Sequence, residues 1–197
     1  LCALSRKDGP NIVHAEGGGV DFADHPRFTV GDGEPPYSVV KTASDSVLMR
    51  RTVRRRYRVD RKVAVGPEGV IVETSLHSAT ITPRTIYPLL RGSFDLGDSS
   101  TVAVRNPEGT WQTVAVPPTQ MFATTTVRGT ELAGRELVLA SSKTRRGVRI
   151  RLPDTEIQRA WIMCDMGTNV ARLFVAMPPT ELPGRGARSY TLGVLPL

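Results

Sequence analysis

The chain has 197 residues, 40% of them hydrophobic and 23% charged, with a formal net charge of +7. That length suits one large β-sandwich or two small domains, and the apolar share is enough for a sizeable core. No apolar run approaches the roughly 18–20 residues that a membrane helix needs, and two cysteines, Cys2 and Cys164, make neither a disulfide framework nor a metal cluster.

The chain starts at Leu1 with no basic-then-apolar leader and reads as a mature form or a part of a longer chain. Residues 1–36 hold Gly17-Gly18-Gly19, Gly31-Asp32-Gly33 and Pro35-Pro36 and are expected to be loop-dominated with short strands. Neither glycine run is followed by a helix signal or by Gly-Lys-Ser/Thr, so no phosphate cradle is expected there. From Val53 to Val65 apolar and charged residues alternate. Val53, Tyr57, Val59, Val63 and Val65 share one parity, and Arg54, Arg56, Arg58, Asp60 and Lys62 the other. Period 2 predicts one long strand with a wet face. Gly66-Pro67-Glu68-Gly69 is turn chemistry, and Val70, Val72, Thr74 and Leu76 then return on one face, which predicts a hairpin.

A second hairpin is predicted around Asn106-Pro107-Glu108-Gly109, between 101–105 and 110–116. Further strands are expected at 135–140, 147–152, 159–164, 169–176 and 189–196, most of them separated by Gly, Pro or Asp. Glu131 to Leu139 is the best helix candidate and reads equally as a turn plus a strand. Strands at this spacing predict an all-β, antiparallel β-sandwich in one domain over 1–197. Its expected core includes Val59, Val63, Val72, Leu76, Val102, Val104, Val114, Val148, Ile150, Ile162, Leu173, Val175 and Leu192.

The order of features carries a resemblance. An early Gly17-Gly18-Gly19 precedes a long charged strand and a strand of the VxVxxxLxS type. Tyr87-Pro88-Leu89-Leu90-Arg91-Gly92-Ser93-Phe94 follows, and the chain closes on a segment from Leu173 to Pro196 that contains Leu182-Pro183-Gly184. This layout resembles the galactose-mutarotase-like supersandwich from about Val53 to Leu197. The family includes aldose epimerases and accessory domains of glycoside hydrolases, phosphorylases and polysaccharide lyases. Its catalytic members use a histidine in a His-Pro stretch as general acid and a glutamate in a Glu-Pro stretch as general base, because ring opening needs a proton supplied at one oxygen and removed from another. The resemblance puts Tyr87-Pro88 and Met177-Pro178 at those two stretches. A thioether takes no proton near neutral pH, and a phenol with an ordinary pKa of about 10 is a poor acid there. The resemblance therefore implies a sandwich without mutarotase chemistry, unless His77 and Glu181 substitute.

Other candidates are weaker. His14, His25 and His77 lack zinc-site spacing, and no metal or cofactor is expected. His77 reads either as a general acid or as a hydrogen-bonded rim residue. Asp21, Asp24, Asp32, Asp95, Asp98, Asp154 and Asp165 form no recognisable pair of the kind glycosidases need. Trp161 lies in a nearly continuous apolar run and is expected in the core. Trp111 follows a turn and is a candidate sugar platform, with Arg91 and Arg105 as candidate sugar contacts. The arginine excess favours anionic partners without naming one and is equally what GC-rich coding yields. The run from Arg50 to Arg58 invites a nucleic-acid reading, but 6% aromatics is thin for base stacking and no nucleic-acid motif accompanies it. An anionic polysaccharide suits arginine forks better. Three functional readings follow: a non-catalytic, carbohydrate-binding or accessory domain of a larger glycan-active protein; an epimerase, lyase or hydrolase with a non-standard site; or an assembly module that meets an acidic partner through its arginine-rich face.

Overall fold

The computed structural model describes residues 20–23, 37–53, 57–98, 102–114, 122–128, 132–165 and 170–197. The described residues form strands β1 (Val20–Ala23), β2 (Ser38–Thr42), β3 (Ser46–Val53), β4 (Tyr57–Gly66), β5 (Gly69–Ser78), β6 (Arg84–Asp95), β7 (Val102–Arg105) and β8 (Trp111–Thr113). They continue as β9 (Phe122–Arg128), β10 (Glu136–Ser141), β11 (Gly147–Arg151), β12 (Arg159–Asp165), β13 (Val170–Ala176), β14 (Thr180–Leu182) and β15 (Ala187–Pro196). Of the predicted segments, Gly17-Gly18-Gly19, Gly31-Asp32-Gly33 and Pro35-Pro36 lie outside the described residues.

Two antiparallel sheets result. One has the order β1-β6-β13-β12-β9, with β14 also pairing β6. The other has nine strands in the order β2-β3-β4-β5-β15-β11-β10-β7-β8. The last strand, β15, joins the two halves of the larger sheet, pairing Ala187 with His77 on β5 and Leu195 with Arg149 on β11. Alternation decides which side chains meet between the sheets. Val59, Val72, Leu76, Val104, Leu139, Val148 and Ile150 point inward from the larger sheet. Leu90, Ile162, Leu173 and Val175 do so from the smaller, and all join one buried cluster. This is the expected all-β antiparallel sandwich, and every expected core residue is buried except Val63, which is half-buried against the cluster.

Two expectations need correction, and one segment left open between two readings is decided. The run from Val53 to Val65 is not one strand: β3 and β4 form a hairpin in which Val53 pairs with Tyr57. Between them stand Arg54, Arg55 and Arg56, which carry none of the Gly, Pro, Asn or Asp that mark a turn in sequence. Val65, at the end of β4, is 63% exposed rather than buried, because its parity continues beyond the edge of the core. The helix candidate from Glu131 to Leu139 is a turn followed by β10, with Gly134 at φ 64° and the Arg135 amide donating to the Leu132 carbonyl.

Candidate functional site

The hairpin of β7 and β8 is closed by Asn106-Pro107-Glu108-Gly109. The Gly109 amide donates to the Asn106 carbonyl at 3.0 Å, and Asn106 Oδ1 accepts from the Thr110 amide at 2.8 Å. Gly109 has φ 89°, a left-handed conformation that glycine adopts without a Cβ clash. This turn sets the register that pairs Arg105 with Trp111. Since Val104, Leu139 and Val148 face the core, Arg105, Val138 and Arg149 face outward, adjacent in register across β7, β10 and β11. Trp111 extends the row at the sheet edge, with 51% of its surface exposed.

These residues line a groove of about 620 Å³, together with Arg135, Glu136 and Arg151. Arg151 holds Glu136 Oε1 through Nη2 at 3.0 Å and Nε at 3.2 Å, and Arg149 Nε lies 3.7 Å from Glu136 Oε2. Arg105 uses only Nε, weakly, to reach the Gly109 carbonyl at 3.4 Å. Its terminal nitrogens have no partner among the described residues. An exposed indole beside guanidinium donors offers a sugar both a flat apolar face and charged hydrogen-bond donors. Sequence reasoning found Trp111 and Arg105 and missed Arg135, Glu136, Arg149 and Arg151. The alternation in Gly147–Arg151 already put Arg149 and Arg151 on one face; the pairing of β11 with β10 was the missing information.

Arg91 does not join this groove. It lies on β6, on the outer face of the smaller sheet, in register with Phe174, which pairs with Trp161. Trp161 was expected in the core, and it is half-buried instead. Its neighbours Ala160 and Ile162 take the inward positions, so alternation turns the ring out. The ring is occupied there: Phe174 stacks on it at 5.1 Å and the Arg159 guanidinium sits 4.6 Å from its centroid.

Neither His77 nor Glu181 lines the groove. His77 faces outward on β5, with Nε2 3.5 Å from Asp60 Oδ2. Asp60 accepts from Arg50 Nε at 2.7 Å and Nη2 at 3.0 Å, and Arg58 Nη2 lies 3.2 Å away. Burial alone would raise the Asp60 carboxyl, but the Arg50 hydrogen bonds and Arg58 outweigh it and hold it below the usual carboxylate range. Burial, then Arg58, push His77 below its ordinary value against the pull of Asp60. A neutral imidazole at 3.5 Å is a neighbour of Asp60 rather than an ion-pair partner. Glu181 sits on β14 opposite Thr85, with an exposed side chain, and its carbonyl accepts from Arg188 Nε. Among the described residues the arginine run forms no single charged row: Arg50 and Arg58 close on Asp60, and Arg51, with Arg61 beyond the run, flanks the Tyr37 ring at 4.7 and 4.6 Å.

The two stretches singled out by the resemblance are neighbours. The Met177 amide donates to the Pro88 carbonyl at 3.1 Å, and Met177 is buried. Met177 joins the buried cluster and Tyr87 does not, and neither provides a carboxylate or an imidazole. Among the described residues no group of His, Cys, Asp and Glu could hold a metal ion. Asp95 accepts from the Gly97 amide at 2.8 Å and Asp98 pairs with Lys143 at 3.0 Å, so both have structural partners. Cys164 is buried. His14, His25, Cys2, Asp24, Asp32 and the side chains of Asp21 and Asp165 lie outside the described residues.

Solved structures share the fold of the backbone though not its sequence. A galactose mutarotase-like protein from Lactobacillus casei superposes with a TM-score of 0.60 at 9% identity, covering 82% of this chain and 73% of that one. The chain has the galactose-mutarotase-like fold. An aldose epimerase homologue from C. elegans gives a TM-score of 0.58 at 10% identity over 82% and 68% of the two chains. A Synechocystis protein gives 0.63 at 7% identity, and the chain spans 65% of its length. No protein-family model and no curated protein sequence matches the chain.

Proposed function

We propose that the chain is a carbohydrate-binding domain that holds a sugar without turning it over, as an accessory part of a larger glycan-active protein. One observation carries this reading: on a sandwich of this fold, the groove beside the β7–β8 hairpin presents an exposed Trp111 ring next to Arg105. The occupants of the two resemblance positions, Tyr87 and Met177, support the absence of epimerase chemistry, since neither pairs a strong acid with a base. The shared core of both sheets supports reading 1–197 as one domain.

Binding to an array of oligosaccharides tests the proposal, with galactose and glucose anomer exchange followed in parallel. Wild-type protein is expected to retain at least one glycan that Trp111→Ala loses, and to leave anomer exchange at its spontaneous rate. Anomer exchange at enzymatic rates, abolished by Glu181→Gln or His77→Gln, would overturn the non-catalytic reading. An array on which Trp111→Ala changes nothing would remove the groove from it.

A further inference from the structure

We infer that the groove takes an acidic glycan, a uronate chain that lies across the strands of the larger sheet so that carboxylates two residues apart meet Arg105 and Arg149. This rests on the sugar-binding reading above and specifies its ligand.

The inference begins with the spacing of the sheet. Neighbouring strands lie about 4.8 Å apart. Arg105 on β7 and Arg149 on β11 are separated by β10, with Val138 between them in register. Their backbones are thus about 10 Å apart, comparable to the length of a disaccharide in an extended glycan. Trp111 stands one strand beyond Arg105. A sugar ring stacked on the indole would therefore be followed by a carboxylate at Arg105, an apolar step over Val138 and a second carboxylate at Arg149.

Charge selects among glycans. Four arginines and a single acidic side chain, that of Glu136, are found among the described residues lining the groove. An unbalanced set of this kind raises the local concentration of anions and repels cations. Guanidinium groups bind planar carboxylates through paired N–H donors, and in the Arg151–Glu136 contact Nε and Nη2 both turn to a carboxylate, converging on Oε1. A neutral glycan would gain the stacking and offer no anion to Arg105, which reaches only the Gly109 carbonyl through Nε. The row also separates an acidic glycan from a nucleic acid: one exposed ring at the end of an arginine row offers no ladder for successive bases.

The test is calorimetric titration with a galacturonate hexamer, a neutral galactose hexamer, a sulfated glucan of similar length and a single-stranded oligonucleotide. The galacturonate hexamer is expected to bind, and the neutral hexamer to bind about tenfold or more weakly. Arg105→Gln and Arg149→Gln should each weaken galacturonate binding by about tenfold, with unchanged circular dichroism showing that the sheet is intact. Glu136→Gln should strengthen it a few-fold by removing the competing carboxylate. Equal binding of neutral and acidic hexamers, indifferent to both arginine substitutions but lost in Trp111→Ala, would overturn the acidic-ligand inference and leave the sugar-binding reading standing. Tighter binding of the sulfated glucan or the oligonucleotide, unaffected by Trp111→Ala, would overturn both in favour of a simple polyanion surface. Failure of all four probes would overturn both as well.

Discussion

The two tryptophans sit on opposite outer faces of one sandwich and differ in what their own neighbours do to them. Trp161 lies at the middle of a strand of the smaller sheet, where Phe174 and Arg159 already engage its π-system. Trp111 stands at the edge of the larger sheet with half its surface exposed and no stacking partner among the described residues. A ring that is internally stacked stabilises its sheet, whereas a ring without a partner beside free guanidinium donors is available to a ligand. Residue type does not separate these roles; the occupancy of the ring faces does.

The comparison can be sharpened by removing groups around each ring. The largest effect is expected beneath Trp161. Ile162 is fully buried, and Ile162→Ala should cost about 2–5 kcal/mol in urea unfolding through lost burial and the cavity left behind. A cost below about 0.5 kcal/mol, the usual range for surface changes, would mean that the core between the sheets is not packed as described. Next comes Trp111→Ala, which should weaken oligosaccharide binding at least tenfold, about 1.4 kcal/mol, with thermal unfolding unchanged. Trp161→Ala should do the reverse. Losing an aromatic pair and a cation contact should cost about 1–2 kcal/mol of stability and lower Tm by several degrees, while glycan binding stays at the wild-type level. If the two substitutions had the same signature, the distinction between the rings would fail.

The smallest effect concerns pH, at the charged cluster on the same sheet face as Trp111. Both His77 and Asp60 are held below their ordinary values in the folded chain. The unfolded chain therefore takes up protons first as pH falls, and stability is lost on acidification. For His77 the loss starts near the free-imidazole value of about 6.5 and continues down through the lower folded value. Urea midpoints measured at about pH 7.5 and pH 5.5 should fall less in His77→Gln than in wild type. An equal fall in both would assign the acid sensitivity elsewhere. Glycan binding by His77→Gln should remain unchanged, since His77 does not line the groove.

The sequence made the sandwich legible wherever strong alternation met a strong turn. Gly66 to Gly69 and Asn106 to Gly109 mark two hairpins that the structure contains, and the inward valines and leucines follow the period of two. It failed between Val53 and Tyr57, which pair across a hairpin although Arg54, Arg55 and Arg56 carry no turn signal, so that the hairpin reads as one long strand. It failed again at Trp161, because a continuous apolar run carries no alternation and so does not say which residues face inward. For the candidate site, Trp111 and Arg105 were within reach because one short hairpin joins them. Arg149 and Arg151 reach the groove only through the order of strands in the sheet, which is long-range information. Arg91 was grouped with Trp111 in the sequence, although the two lie on different sheets.

The most direct test uses the two indole N–H signals that the tryptophans contribute to a two-dimensional NMR spectrum, assigned with Trp111→Phe and Trp161→Phe. Titration with the galacturonate hexamer should shift the Trp111 signal progressively and leave that of Trp161 in place. A shift confined to Trp161 would move the sugar site to the smaller sheet and contradict the account.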